Sequence, residues 1–217
     1  MKIYLVGDSI SVHYGRHLAA YLRGIIYHSQ KEGEAEALQD LDKPQGANTG
    51  DSAMLLAFLQ EKAQSGGIGA DLVLFNCGLH DIKTDPATGA RQVSGQQYGG
   101  NLEAILKVIT TMGAKPVWVR TTPCDESVHN RKGLVFQRFS ADCVSYNALA
   151  DEVMGEAGVP EIDLYTFTLN LGPDLYCDHV HFHEPIREKQ AAFIAGWLSA
   201  YGGNAGAQAG RRAGELR

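Results

Sequence analysis

Residues that together support nucleophilic serine chemistry stand near the two ends of this chain. Ser9 lies in Gly7-Asp8-Ser9, directly after the apolar run Lys2-Ile3-Tyr4-Leu5-Val6. A serine placed where a buried strand runs out into a turn can offer its hydroxyl to a cleft while its backbone N–H stays free. Far along the chain, Asp178-His179-Val180-His181 sets a carboxylate three residues before a histidine. A hydroxyl, an imidazole to take its proton and a carboxylate to hold the imidazole are a nucleophile, a base and an orienter. Each block alone has a plainer use. Gly-Asp-Ser often ends a strand with Asp or Ser capping the next helix, and Asp with His is common in capping loops. The two together favour chemistry.

The elements that must position these residues alternate short apolar runs with longer amphipathic ones, the pattern of β-α-β units and a parallel sheet. Strands are expected over 2–6, 71–76, 115–121 and 161–164, with a shorter one over 24–28. Leu72-Val73-Leu74-Phe75 is apolar throughout, as a strand covered on both faces should be. Helices are expected over 12–23, 52–63, 98–112, 139–157 and 184–201. Asp51 or Ser52 supplies a cap for the second, Gly113 and Gly158 end the third and fourth, and Gly202-Gly203 is the expected stop of the last. The segment 29–46 is charged and turn-rich, a surface excursion with a short helix over 34–41 and close enough to Gly50 to act as a lid. No repeat or interdomain linker interrupts the pattern. One domain is expected over 1–201, followed by a flexible Gly/Ala-rich tail over 202–217.

Composition narrows the partners. At 217 residues, 44% hydrophobic and 20% charged, the chain suits a single globular domain with a three-layer core. A net charge of -6, with no basic run, disfavours nucleic acid and anionic membrane surfaces. The apolar stretches are too short to span a bilayer, and the first residues enter strand-like sequence directly, so a cytoplasmic protein is expected. Cys77, Cys124, Cys143 and Cys177 show no CxxC spacing and read as reduced packing residues, with nothing to argue for a Cys77–Cys177 contact.

In a parallel sheet ligands sit at the carboxyl ends of the strands. Ser9 falls at such an end, as do Thr49-Gly50-Asp51-Ser52, Gly78-Leu79-His80-Asp81 and the Asp178–His181 block. These four blocks, in this order, resemble the SGNH (GDSL) hydrolase superfamily of esterases and lipases, and the resemblance runs from 2 to about 198. It implies a three-layer α/β/α sandwich with a flavodoxin-like parallel sheet. It also implies Ser9 as nucleophile, His181 as base and Asp178 as its orienter, with no cofactor. The backbone N–H groups of Ser9 and Gly50 would form part of an oxyanion hole. The third block departs from the usual Gly-x-Asn-Asp, because His80 stands where asparagine is expected. A neutral imidazole keeps one N–H and can replace the amide donor if its tautomer is fixed, by Asp81 or by a backbone carbonyl. Glu184-Pro185 also stands where many relatives have a glycine.

The expected activity is hydrolysis of a small acyl ester through an acyl-enzyme, with an acetyl or other short acyl group on a sugar as first choice. Aryl ester, lysophospholipid and thioester substrates and acyl transfer to a sugar stay open. Two rivals remain. His179, His181 and His183 alternate along an extended segment and could face one way as metal ligands of a metal-dependent hydrolase. The fold could also serve as a non-catalytic binding module. Asp8, Asp51 and Asp81 read as capping or bracing residues. His13, His17, His28 and His129 have no sequence partner and read as surface or packing residues.

Overall fold

Residues 1–133 and 135–214 are described by the computed structural model. The apolar runs form a five-stranded, wholly parallel sheet: β1 (Lys2–Val6), β2 (Tyr27–Gln30), β3 (Leu72–Phe75), β4 (Lys115–Val119) and β5 (Glu161–Ile162). Their order is β2-β1-β3-β4-β5, the flavodoxin-like arrangement with its switch point between β1 and β3. β3 is buried at every position, as its unbroken apolar sequence requires.

Eight helices are described: α1 (Ser9–Leu22), α2 (Glu34–Ala37), α3 (Ser52–Gln64), α4 (Gly95–Thr111), α5 (Glu126–His129), α6 (Ser140–Glu156), α7 (Leu164–Leu169) and α8 (Glu184–Gly214). Their contacts divide them into two layers. α1, α8 and α7 pack together, and α3, α4 and α6 form the other layer, with the sheet between. The three-layer α/β/α sandwich is therefore as expected. The α1–α8 contact matters most here, because it sets the helix that begins at Ser9 against the helix that begins just after His181. Arg16 and His17 of α1 both reach Glu184, the first residue of α8, and fasten that junction from outside.

Several boundaries differ from those read in the sequence. α1 starts at Ser9 rather than residue 12, because Asp8 caps it by accepting the Ile10 N–H at 3.0 Å. β2 lies at Tyr27–Gln30 rather than 24–28. It is an edge strand, and its Tyr-His-Ser-Gln sequence carries no apolar run to mark it. α8 does not stop at Gly202-Gly203 but continues to Gly214. Alanines at 205, 207, 209 and 213 favour helix strongly enough to carry the backbone past glycines that lower helix propensity without forbidding it. Of the tail expected over 202–217, residues 215–217 lie outside the described residues. Among the described residues no helix is long and apolar enough to cross a membrane. The four cysteines are free thiols, with Cys177 exposed and the other three buried. Cys77 and Cys177 do not pair. The close pair is Cys124 and Cys143, whose sulfurs lie 3.0 Å apart.

Loops at the carboxyl edge are held in conformations that only particular residues permit. Gly50 has φ +74°, and a Cβ there would lie 2.7 Å from Pro44 Cβ and from Met54 Sδ. Gly158 has a similar φ of +63° with open space around it. Gly50→Ala is expected to destabilise the fold by about 1–3 kcal/mol, and by more than Gly158→Ala, in urea unfolding. Equal effects would mean that the Pro44 and Met54 side chains give way freely.

Burial of imidazoles links stability to pH. His13 is buried, and loss of hydration, followed by the charges of Arg187 and His181, pushes its pKa from 6.5 down to about 3. Between those values the unfolded chain binds a proton that the folded chain refuses. Stability therefore falls as pH drops below about 6.5, and the group contributes nothing above it. In His13→Gln the fall in unfolding free energy between pH 6 and 4 should be shallower by up to about 1.4 kcal/mol per pH unit, measured by urea titration. An unchanged slope would show that His13 takes up its proton in the folded state.

Candidate active site

The carboxyl end of β1 leads through Gly7 and Asp8 into α1, so Ser9 occupies the first turn of a helix. Its N–H is one of the donors that a helix leaves without an internal partner. Asp8 is committed to structure, its Oδ1 accepting from Ile10 and its carbonyl from Ser11 Oγ at 2.7 Å. Gly7 cannot carry a side chain without crowding, since a Cβ would lie 3.0 Å from Ser11 Oγ and 3.2 Å from the Asn76 carbonyl. The Gly7 carbonyl accepts from both the N–H and the hydroxyl of Thr49, at 2.9 and 2.7 Å. That pair of bonds stitches the Ser9 loop to the Gly50 loop.

Asp178 explains its own spacing from His181. Its Oδ1 accepts the N–H groups of Val180 at 2.8 Å and His181 at 2.7 Å, closing an Asx-type turn. This turn swings the His181 ring back onto the other carboxylate oxygen, with Nδ1 2.8 Å from Oδ2. Antiparallel pairing of Tyr176 with Phe182 braces the same hairpin. His181 Nε2 then lies 2.8 Å from Ser9 Oγ. A carboxylate at Nδ1 fixes the proton there, so Nε2 is bare and faces the serine hydroxyl as an acceptor. Burial pushes the Asp178 carboxyl up, but the His181 hydrogen bond and charge and the two backbone N–H groups outweigh it and hold the pKa well below the carboxylate range. The sequence-predicted Ser9, His181 and Asp178 are thus brought into one line, although 172 residues separate the first two. Ser9 is 4% exposed and His181 2%, so both side chains are almost wholly covered.

The expected oxyanion donors are placed less simply. Gly50 differs from expectation. Its N–H is not free but donates to Asn48 Oδ1 at 3.0 Å, because the tight turn that needs the glycine also brings the asparagine amide over it. His80 is buried, and loss of hydration, with the charges of Lys83 and Arg138 adding to it, keeps its ring neutral. Asp81 does not fix its tautomer. Both Asp81 oxygens accept from the Ser52 N–H, at 2.9 and 3.1 Å, and burial raises the Asp81 pKa to about 7. His80 Nδ1 is buried with no partner. Asp51 caps α3 through the Met54 N–H, as a bracing residue should.

The metal alternative fails on direction. His183 turns outward toward Asp174 at 3.6 Å, while His179 turns inward to His129 and Asp42. The segment is a hairpin turn, so alternate residues do not share a face. Asp178, His179 and His181 do offer ligand atoms within 4.8 Å of one another. Hydrogen bonds already occupy both ring nitrogens of each histidine, so the set does not fit an ion without dismantling the line to Ser9.

Four residues around the site were missed in the sequence. The ring of His13 stands edge-on to His181, 5.2 Å between centroids. It is four residues after Ser9 on the same helix, a spacing that could have revealed it. His129, Arg138 and Asp42 surround His179 and are joined to it only by long-range folding. No local signal marks them.

No protein-family model and no curated protein matches the chain. Solved structures do. A GDSL-like lipase from Bacteroides thetaiotaomicron is 15% identical, with 92% of this chain and 88% of that one covered at a TM-score of 0.66. A carbohydrate acetylesterase from Sinorhizobium meliloti is 14% identical, with 92% and 99% covered at 0.62. A protein of Slackia heliotrinireducens assigned to the SGNH hydrolases is 21% identical, with 90% and 97% covered at 0.56. At these identities the likeness is one of fold, and the fold this chain carries is that of the SGNH (GDSL) hydrolases.

Proposed function

We propose that the protein is a serine esterase that removes a small acyl group, with acetyl on a carbohydrate as the first substrate class. The observation that carries this reading is the unbroken line from Ser9 Oγ to His181 Nε2 and from His181 Nδ1 to Asp178 Oδ2, each step 2.8 Å. Ser9 Oγ attacks the ester carbonyl while His181 Nε2 takes its proton. Asp178 keeps the ring aligned and stabilises the imidazolium that forms. The imidazolium returns its proton to the departing alcohol, leaving an acyl group on Ser9. A water then repeats the sequence in reverse and frees the acid.

Charge on the tetrahedral intermediate needs donors. The Ser9 N–H is one. His80 is the second, and its orphaned Nδ1 says how. A buried N–H without an acceptor costs more than a bare lone pair, so the single ring proton belongs on Nε2. That leaves Nε2–H to serve where an asparagine amide serves in relatives. The slight exposure of Ser9 favours acetyl over a long chain. A cleft of about 660 Å³, reached from the Asp178–His181 turn through the His179–Asp42 contact and lined by Asp42, Lys83, Gln92 and Phe136 among others, offers hydrogen-bonding groups and one aromatic face, which suits a sugar. The carbohydrate acetylesterase among the structural neighbours supports the same choice.

A fluorophosphonate probe is expected to label Ser9 in the intact protein and to leave Ser9→Ala unmodified, read by mass spectrometry. Labelling elsewhere at equal rate would remove the nucleophile assignment. His80→Ala should lose about 10²–10³ in kcat on nitrophenyl acetate, whereas His80→Asn keeps most of it. If both variants fail alike, His80 does something other than donate.

A further inference from the structure

A second chain of buried polar contacts runs beside the Ser9–His181–Asp178 line. It starts at Asp42, whose Oδ2 lies 3.1 Å from His179 Nε2. His179 Nδ1 lies 2.8 Å from His129 Nδ1, and His129 Nδ1 is 3.4 Å from an Arg138 guanidinium nitrogen. Arg138 Nε–H donates to the Leu79 carbonyl at 2.6 Å. His129 and Arg138 are 0% and 1% exposed, so neither answers to bulk water. The chain crosses four separate segments. One end is the loop at 40–43, the middle is the turn that carries Asp178 and His181, and the other end is the peptide leading into His80.

The donors and acceptors along this chain can be counted. Arg138 can only donate, whereas His129 Nε2 is buried with no partner, so the His129 ring meets both Arg138 and His179 through Nδ1. Burial and then the Arg138 charge push the His129 pKa down to about 3, so at neutral pH its ring carries a single proton. Burial pushes the Asp42 carboxyl up, but the hydrogen bond and charge of His179 bring it down to about 2, so at neutral pH Asp42 only accepts. His179 Nε2 therefore carries the proton of that bond, while its Nδ1 meets His129. Around it stand Asp42, His129, Arg138, Asp178 and the ring of His181 at 5.9 Å, with Lys83 donating to the Asp42 carbonyl at 3.1 Å.

We propose that His179 is a positioning residue that fastens the 40–43 loop to the Asp178–His181 turn and, through His129 and Arg138, to the peptide that sets His80. The proposal rests on the serine-esterase reading of Ser9, His181 and His80. Base and oxyanion donor come from loops about a hundred residues apart in sequence, and no single helix or strand fixes their separation. The Asp42 end is itself anchored, since Asn48 Nδ2 donates to the carbonyls of Leu41 at 3.0 Å and Lys43 at 3.2 Å.

The test uses the full chain. In ¹⁵N-histidine-labelled protein, nitrogen–proton correlation spectra are expected to show a His179 Nε2 proton protected from exchange with water, and Asp42→Ala to lose that protection. Asp42→Ala should lower kcat on nitrophenyl acetate by about tenfold or more while KM stays within about twofold, and Asp42→Asn, which keeps an acceptor, should retain most of it. A His179 Nε2 with no protected proton in the unmodified protein overturns the proposal. So does an unchanged kcat in folded Asp42→Ala. An inactive unmodified protein whose His179 Nε2 proton is protected would instead sink the esterase reading and leave the hydrogen-bond chain standing.

Discussion

Everything at this site depends on α1 and α8 lying side by side. β1 and α1 bring Ser9 to the carboxyl edge of the sheet, and α8 brings the hairpin before it to the same place. The 2.8 Å contact between Ser9 and His181 is the product of that packing, with no covalent neighbour to enforce it. Leu18 and Leu22 of α1 and Ile194 and Leu198 of α8 are buried completely or nearly so, and each such side chain is worth about 1.5–3 kcal/mol of transfer free energy. Apolar packing on one face thus sets the distance on which a polar site depends. The ion pairs of Arg16 and His17 with Glu184 are partly exposed and contribute alignment more than energy.

The switch point of the sheet supplies the rest. Strands β1 and β3 are neighbours, but their crossovers leave in opposite directions, which opens a crevice at their carboxyl ends. The Ser9 loop and the His80 loop both empty into it. Buried polar side chains then bind these loops to one another: Thr49 to Gly7, Asp81 to Ser52, Thr121 to the Cys77 carbonyl at 2.6 Å and Asn147 to the Thr121 carbonyl at 2.9 Å. In a dry setting each bond is costly to break, so the crevice is rigid without belonging to any helix or strand.

Most of this architecture was legible in the sequence, and the exceptions share a cause. The apolar run Leu72–Phe75 and the Ser9 and Asp178–His181 blocks are local signals, and the structure places each where its spacing says. Asp178 illustrates why: the turn that aims His181 needs only four consecutive residues. β2 was misplaced because an edge strand needs no apolar run. His129, Asp42 and Arg138 were overlooked because each acquires its meaning from a partner 50 or more residues away, as His129 does from His179. Gly50 shows a different limit. Its turn is readable from the residue type, but that Asn48 occupies its N–H depends on a side-chain rotamer, which spacing does not encode.

β1 lies inside the sheet, with β2 on one side and β3 on the other, and its helix leans on the last helix of the chain. During synthesis the first strand therefore leaves the ribosome with one of its covering layers still untranslated. The apolar flank of α1 must wait through some 160 further residues for α8, exposed meanwhile to chaperones or to other nascent chains. On this topology the Ser9–His181 contact forms only once α8 has been made, and chains that stop short of α8 keep the α1 flank uncovered.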